Sequence, residues 1–331
     1  MRIVVSRPLV GSAIPRLQAS GHEVIVLDES RSHDVLETAI ASGCDGVLTL
    51  LSDPVTAEML AKIASTHDHR LRVVSNYAVG YNNIDVRACT EAGIVVTNTP
   101  DVLTDATADI ALTLLLMAMR AIPAGMRQLV EGRFTGWRPT GLLGHDPRGK
   151  TLGILGMGRI GLATARRAEA FGMKILYHNR SGAKPELPWP YVSFAGLLAE
   201  SDVLSIHCPL SAGTRHLIGA AELGTMKSGA VLINTARGPI VDEAALAEAL
   251  RTGHLFSAGL DVYEREPEVH PALMKLENVV LLPHMGSSTH ETREAMGMLA
   301  ATALLDVLSG RRPAHPVNPE VFRMPAWQKQ S

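Results

Sequence analysis

The chain has 331 residues, 46% of them apolar and 19% charged, with a formal net charge of −2. That length predicts two domains of about 100–200 residues each, and so small a net charge excludes the positive field that gathers nucleic acid. The three cysteines, Cys44, Cys89 and Cys208, are far apart and odd in number, which argues for reduced thiols in a cytoplasmic compartment and against a disulfide framework.

The opening residues, MRIVVS, read as a first strand and not as a secretory leader. Short β-branched runs at 3–5, 24–27, 47–50, 73–74 and 94–96 alternate with stretches of helical length, the rhythm of a parallel sheet with crossover helices. The rhythm resumes after Lys150, with runs at 152–155, 174–177, 203–206, 231–233, 259–260 and 279–282. The fold class expected is α/β: two doubly wound, Rossmann-like parallel-sheet domains with a cleft between them. Residues 1–98 with 287–331 are assigned to a substrate-binding domain, and 99–286 to a dinucleotide-binding domain.

Between the two series comes a helix over about 104–120. Its apolar part, 110–119, is bracketed by Asp109 and Arg120 and falls short of the roughly 20 residues that cross a bilayer, so no membrane partner is expected. A Gly-, Pro- and Arg-rich stretch at 122–149 shows little periodicity, and a connection of that length suits an interface or a lid. A last helix, about 289–308, has no strand after it and can return to the first domain. His67 and His69 stand alone in a polar stretch, and the chain contains no H-E-x-x-H or Cys/His quartet, so no metal site is expected.

Gly156, Gly158 and Gly161 form a G-x-G-x-x-G run that follows the apolar strand TLGIL and opens a helix, the context of a dinucleotide fingerprint. The first glycine makes the turn, the second lets backbone approach a pyrophosphate, and the third lets helix and strand pack. The phosphates then face the partially positive helix N-terminus. The next strand, KILYH, ends in Asn179, Arg180 and Ser181. No carboxylate stands there to bond the ribose diol of NAD, whereas Arg180 can pair with a 2′-phosphate and Asn179 and Ser181 can add hydrogen bonds. NADP(H) is therefore the preferred cofactor, with NAD(H) possible.

Three polar residues fall at strand ends or in the loops beyond, where open α/β sheets place their ligands. Arg237 follows VLINTA, Glu266 lies in EREPE after GLDVY, and His284 follows NVVLLP. Arginine can grip a carboxylate bidentately and hold a neighbouring carbonyl for hydride transfer. The developing alkoxide needs a proton, which histidine supplies near neutral pH, and Glu266 can orient His284 and favour its protonated form. Each residue alone would pass for an ordinary loop side chain.

In combination, VGYNNIDV, TNTPDVLTDATADIA, GKTLGILGMGRIG, HCPL, INTARGPIVDE, GLDVYEREP and LLPHMGSST resemble the D-isomer-specific 2-hydroxyacid dehydrogenase family, and within it the glyoxylate/hydroxypyruvate reductases. The resemblance implies reduction of a small 2-keto acid to the D-2-hydroxy acid, with Arg237 on the substrate carboxylate and His284, held by Glu266, as acid/base. It implies that the amides of Val79 and Gly80 help hold that carboxylate. It places Gly158, Arg159 and Ile160 at the pyrophosphate, Asn179 to Ser181 at the adenosine ribose, and Cys208, Pro209, Leu210 and Thr214 along the cofactor. Thr107, Thr235, Ala236, Asp261 and Gly286 fall at its nicotinamide end. It also implies a homodimer, with 105–149 as the interface.

Gly141 stands where many such reductases carry a second aromatic about four residues beyond the position of Trp137, which leaves substrate size open. Val79 replaces the lysine of phosphite dehydrogenases, and Glu266 the glutamine of formate dehydrogenases, so neither reaction is favoured. Two rivals share the motifs. A 3-phosphoglycerate dehydrogenase would need further basic groups at the substrate, with Arg7 and Arg31 as candidates. A dinucleotide-sensing protein of this fold would bind NADPH with little turnover.

Overall fold

The computed structural model describes residues 1–28, 33–65, 70–324 and 327, so Arg31, His67 and His69 lie outside the described residues. The chain forms two compact units, 1–103 with 288–331 and 104–287.

The first unit holds five parallel strands, β1 (Arg2–Val5), β2 (Glu23–Val26), β3 (Gly46–Thr49), β4 (Val73–Asn76) and β5 (Val95–Thr97), in the order β2-β1-β3-β4-β5. The three inner strands and β5 are buried almost throughout, because helices cover both faces, and they therefore read as continuous apolar runs. On one face Val4, Val47, Val74 and Val96 pack with Leu36, Ile40, Met59 and Ile63 from the helices His33–Ala41 and Ala57–Ala64. The other face receives the helix His290–Leu308, whose Ala300 carbonyl accepts from Ser75 Oγ at 2.9 Å and whose Leu304 side chain crowds Gly46. The helix read from sequence at about 289–308 is thus part of this unit. The tail beyond it is pinned by the fully buried Asn318, which accepts from the Val96 amide and donates to Thr90 Oγ1 and the Ile94 carbonyl.

The second unit has six parallel strands, β6 (Thr151–Leu155), β7 (Lys174–His178), β8 (Val203–Ile206), β9 (Ala230–Asn234), β10 (Leu255–Leu260) and β11 (Val279–Leu281), ordered β11-β10-β9-β8-β6-β7. The first five repeat the order of the other unit, and β11 extends the sheet. The chain leaves β6 toward β7 and returns to the other side of β6 as β8, which opens a crevice at the carboxyl ends of β6 and β8. Among the described residues no single helix is long and apolar enough to cross a membrane.

Two elements depart from the sequence pattern. The stretch at 122–149 contains a helix, Ile122–Val130, whose periodicity is masked by Pro123 and Gly125. Proline is tolerated in the first turn, where its missing N–H would have had no partner. Strand β10 begins at Leu255, four residues before the run read from sequence, and the run Ser257-Ala258-Gly259 within it has almost no side-chain bulk. The reason is the helix Thr104–Met119, which crosses it so closely that a Cβ on Gly259 would sit 2.8 Å from Leu114 Cβ and 3.0 Å from Ile233 Cδ1.

Gly259→Ala is therefore expected to destabilise the second unit by roughly 1–3 kcal/mol, a fall of several degrees in its calorimetric unfolding midpoint. Gly213→Ala, whose Cβ would meet nothing within 4 Å, leaves the midpoint unchanged. Equal midpoints for the two variants would contradict this packing.

Candidate active site

Arg237, Glu266 and His284 all belong to the second unit, on the loops that leave the adjacent strands β9, β10 and β11. Glu266 Oε2 meets His284 Nδ1 at 2.8 Å, and its Oε1 accepts from the Tyr263 amide at 3.0 Å. With Nδ1 bound to the carboxylate, Nε2 is the ring nitrogen left to exchange a proton. Burial works to raise the Glu266 carboxyl, but the hydrogen bond and charge of His284, the Tyr263 amide and Arg237 outweigh it, and its pKa falls below the usual value. Burial draws the Arg237 guanidinium below its ordinary value, with Glu266 opposing the shift, and one of its terminal nitrogens donates to the Ala236 carbonyl at 2.7 Å.

The loops are braced from beneath by groups the sequence did not single out. Asn234, at the end of β9, accepts from the Ala236 amide and donates to the Arg237 carbonyl, spanning the loop that carries the arginine. Tyr263 donates its hydroxyl to the Leu282 carbonyl at 2.8 Å and so ties the Glu266 loop to the end of β11. Glu243 and Glu264 each accept the other's backbone amide, at 2.7 and 2.8 Å. Gly238 has no clearance: a Cβ there would lie 1.8 Å from the Tyr263 carbonyl carbon, so the arginine and glutamate loops run backbone against backbone. An asparagine closing a strand, as in LIN, was the one available signal, because these partners are backbone groups that no side-chain pattern records.

Asp261 and Thr107, assigned to the nicotinamide end, are both spent on the loop beyond His284. The Asp261 oxygens accept from the Met285 and Gly286 amides at 2.6 and 2.7 Å, and Thr107 Oγ1 donates to the Gly286 carbonyl at 3.0 Å. Burial raises the Asp261 carboxyl above its usual value, against the pull of those amides and of His284. Together the three bonds hold a turn in which His284 itself takes a left-handed backbone, φ 54°.

In the crevice between β6 and β8 the three glycines have three different reasons. Gly156 has φ 98°, and a Cβ there would strike the backbone of His207 and Cys208; one on Gly161 would lie 2.4 Å from the Gly156 carbonyl; one on Gly158 would meet nothing. Gly158 also stands at the N-cap of the helix Arg159–Ala170 with no side chain to occupy its first turn, the end of a helix that suits an anion. At the end of β7, Asn179 Oδ1 is taken by the Met157 amide at 2.6 Å, while its Nδ2, though buried, has no partner. Thr235 Oγ1, at the end of β9, is a second buried polar atom without one. An open glycine at a helix N-terminus and two unsatisfied polar atoms fit a bound dinucleotide. Arg180 and Ser181 are exposed beside Asn179. Cys208, Pro209 and Leu210 follow β8, and the Thr214 hydroxyl closes their loop by accepting from the Ser211 amide and donating to the Pro209 carbonyl. Ala236 is half-buried on the arginine loop.

Val79 and Gly80 lie in the first unit, half-buried in the loop after β4.

A family model for the NAD-binding domain of D-isomer specific 2-hydroxyacid dehydrogenases matches residues 112–286. A glyoxylate reductase of Korarchaeum cryptofilum is 43% identical over 329 residues, 98% of this chain and 97% of its own length. Among solved structures, a glyoxylate reductase from Paecilomyes thermophila is 38% identical with a TM-score of 0.87, covering 97% of this chain and 98% of that one. An NADPH-dependent glyoxylate/hydroxypyruvate reductase of Sinorhizobium meliloti, solved with NADP and malonate, is 36% identical with a TM-score of 0.83 over 96% of each chain.

The lowered Glu266 pKa carries a stability prediction. A carboxyl depressed on folding stabilises above its unfolded pKa of about 4.3, and the contribution disappears as pH falls through the folded value. Wild type should thus lose stability relative to Glu266→Gln as pH drops through that acid range, read as urea midpoints at neutral and acid pH. Parallel curves for the two proteins would mean that the ionised carboxylate is not held by its neighbours.

Proposed function

The chain belongs to the D-isomer specific 2-hydroxyacid dehydrogenase family, and on that premise we propose that it reduces a small 2-keto acid, of the glyoxylate or hydroxypyruvate kind, to the D-2-hydroxy acid with NADPH. The observation that carries this reading is the ordered set on β9, β10 and β11: a cation, an orienting carboxylate and an imidazole whose Nδ1 is already engaged.

When bound, NADPH supplies the hydride to the keto carbon. Arg237 pairs with the substrate carboxylate and fixes the plane of the adjacent carbonyl. His284 Nε2 gives its proton to the carbonyl oxygen as negative charge develops there, and Glu266 keeps the ring oriented and balances its charge. The Val79 and Gly80 amides donate to the carboxylate. Thr235 Oγ1 and the Ala236 backbone meet the nicotinamide end, whereas Thr107, Asp261 and Gly286 act there by shaping the turn that carries His284. Gly158, Arg159 and Ile160 would lie at the pyrophosphate, with Cys208, Pro209, Leu210 and Thr214 along the cofactor.

Cofactor choice follows from Asn179 and Arg180. Because Asn179 Oδ1 is committed to Met157, this side chain offers the ribose only a donor, Nδ2, which suits a phosphate oxygen and not the hydrogens of a diol. Arg180 adds the charge. Wild type is expected to prefer NADPH over NADH by roughly 10- to 100-fold in kcat/KM. Asn179→Asp with Arg180→Ala should reverse that order, since the carboxylate repels the 2′-phosphate and accepts from the diol. The experiment is initial rates with both cofactors across a panel of keto acids. NADPH binding without turnover would favour a sensor, and a wild-type preference for NADH would overturn the NADP(H) assignment.

We also propose a homodimer through 105–149. Met126, Leu129, Val130, Phe134, Trp137 and Leu143 are 57–87% exposed in the single chain, an apolar area that a second copy would cover. Paired Leu129→Glu and Val130→Glu substitutions should convert a dimer into monomers in sedimentation velocity. A wild-type protein that sediments as a monomer would dismiss this interface.

A further inference from the structure

The loop after β4 contains three successive peptide groups whose carbonyls are all occupied. The Ala78 carbonyl accepts the Thr99 amide at 2.9 Å, the Val79 carbonyl accepts Asn98 Nδ2 at 2.8 Å, and the Gly80 carbonyl accepts Asn76 Nδ2 at 2.9 Å. In a trans peptide the N–H points opposite to the C=O of the same group. Clamping these three carbonyls therefore fixes the directions of the Val79, Gly80 and Tyr81 N–H groups, none of which has an acceptor among the described residues.

The clamps are themselves held. Asn76 is fully buried, and its Oδ1 takes Thr49 Oγ1 and Asn83 Nδ2, both at 3.3 Å, which sets its amide so that Nδ2 faces Gly80. Asn83 Nδ2 also reaches the Leu50 and Asp53 carbonyls beyond the end of β3. Turning the Asn98 amide over would set oxygen against the Val79 carbonyl oxygen, so its orientation is equally determined.

We propose that Asn76 and Asn98 are positioning residues, which present the amides of Val79, Gly80 and Tyr81 as a preformed, uncharged seat for the substrate carboxylate, with Tyr81 N–H as a third donor. The inference rests on the keto-acid reading above and deepens it. A seat of fixed peptide dipoles loses no side-chain entropy on binding and interacts most strongly with an anion. It therefore distinguishes a keto acid from the same compound with its charge removed.

The test compares wild type, Asn98→Asp and Asn98→Ala on pyruvate and on its uncharged methyl ester, with NADPH saturating. Aspartate keeps the size of asparagine but replaces the donor with a carboxylate that repels the Val79 carbonyl, so packing is preserved while the clamp is lost. The KM for the acid should rise about tenfold or more with kcat changed less than about threefold, and the acid-to-ester ratio of kcat/KM should fall about tenfold. NADPH affinity, read by its fluorescence, should stay as in wild type. A general structural defect would lower both substrates together. If Asn98→Asp does not fold, Asn98→Ala reports the same ratio. Turnover of the acid with an unmoved ratio in either variant overturns this inference alone, and a wild type that reduces no keto acid overturns the reading beneath it as well.

Discussion

The 2.8 Å contact between the Glu266 carboxylate and the His284 imidazole constrains most of what surrounds it. Its two residues stand on separate loops that only the pairing of β10 with β11 brings side by side. A hydrogen bond is lost within a few tenths of an ångström, so each loop must be fixed to that tolerance. Tyr263 reaches across to the Leu282 carbonyl, Asp261 and Thr107 grip the turn after the histidine, and Glu243 and Glu264 lock the loop before Glu266. The close approach of Gly238 to Tyr263 extends the same rigidity to the arginine. A parallel sheet suits this arrangement because all its strands deliver their loops to one edge, where three short excursions can be cross-braced.

The two units use one strand order for different ends. In the second, the loops beyond the strands carry cations, Arg180 after β7 and Arg237 after β9, beside a helix whose N-cap, Gly158, has no side chain. In the first, the loop after β4 is held by asparagines, Asn76 and Asn98, whose amides donate to the Gly80 and Val79 carbonyls. Arginine brings charge and reach; fixed peptides bring direction without flexibility.

The strands were legible because burial on both faces forces runs such as Ile3–Val5 and Val203–Ile206 to be apolar throughout, and the glycine triplet was legible because each member answers a steric demand. Arg237, Glu266 and His284 were legible as polar residues at strand ends, and the structure does bring them together in one unit. The helix Ile122–Val130 was not, since its apolar side faces solvent in the single chain and Pro123 and Gly125 interrupt it. Nor were Asn98 and Tyr263, whose partners are backbone carbonyls reached only through the fold. Asp261 and Thr107 were noticed through family resemblance, but their actual bonds, to the turn after His284, have no trace in spacing.

The discontinuity of the first unit bears on how the protein is made. Its five strands are complete by Thr97, yet one face of their sheet is covered by His290–Leu308, and Ser75, Tyr77 and Arg72 find their acceptors on that helix. A ribosome adding about 5–20 residues per second must therefore synthesise the whole of 104–287 before that face is closed. For roughly ten to forty seconds that face has no helix to cover it, while the second unit, continuous in sequence, has all its residues before the first does. The first unit, begun before the second, is thus completed after it.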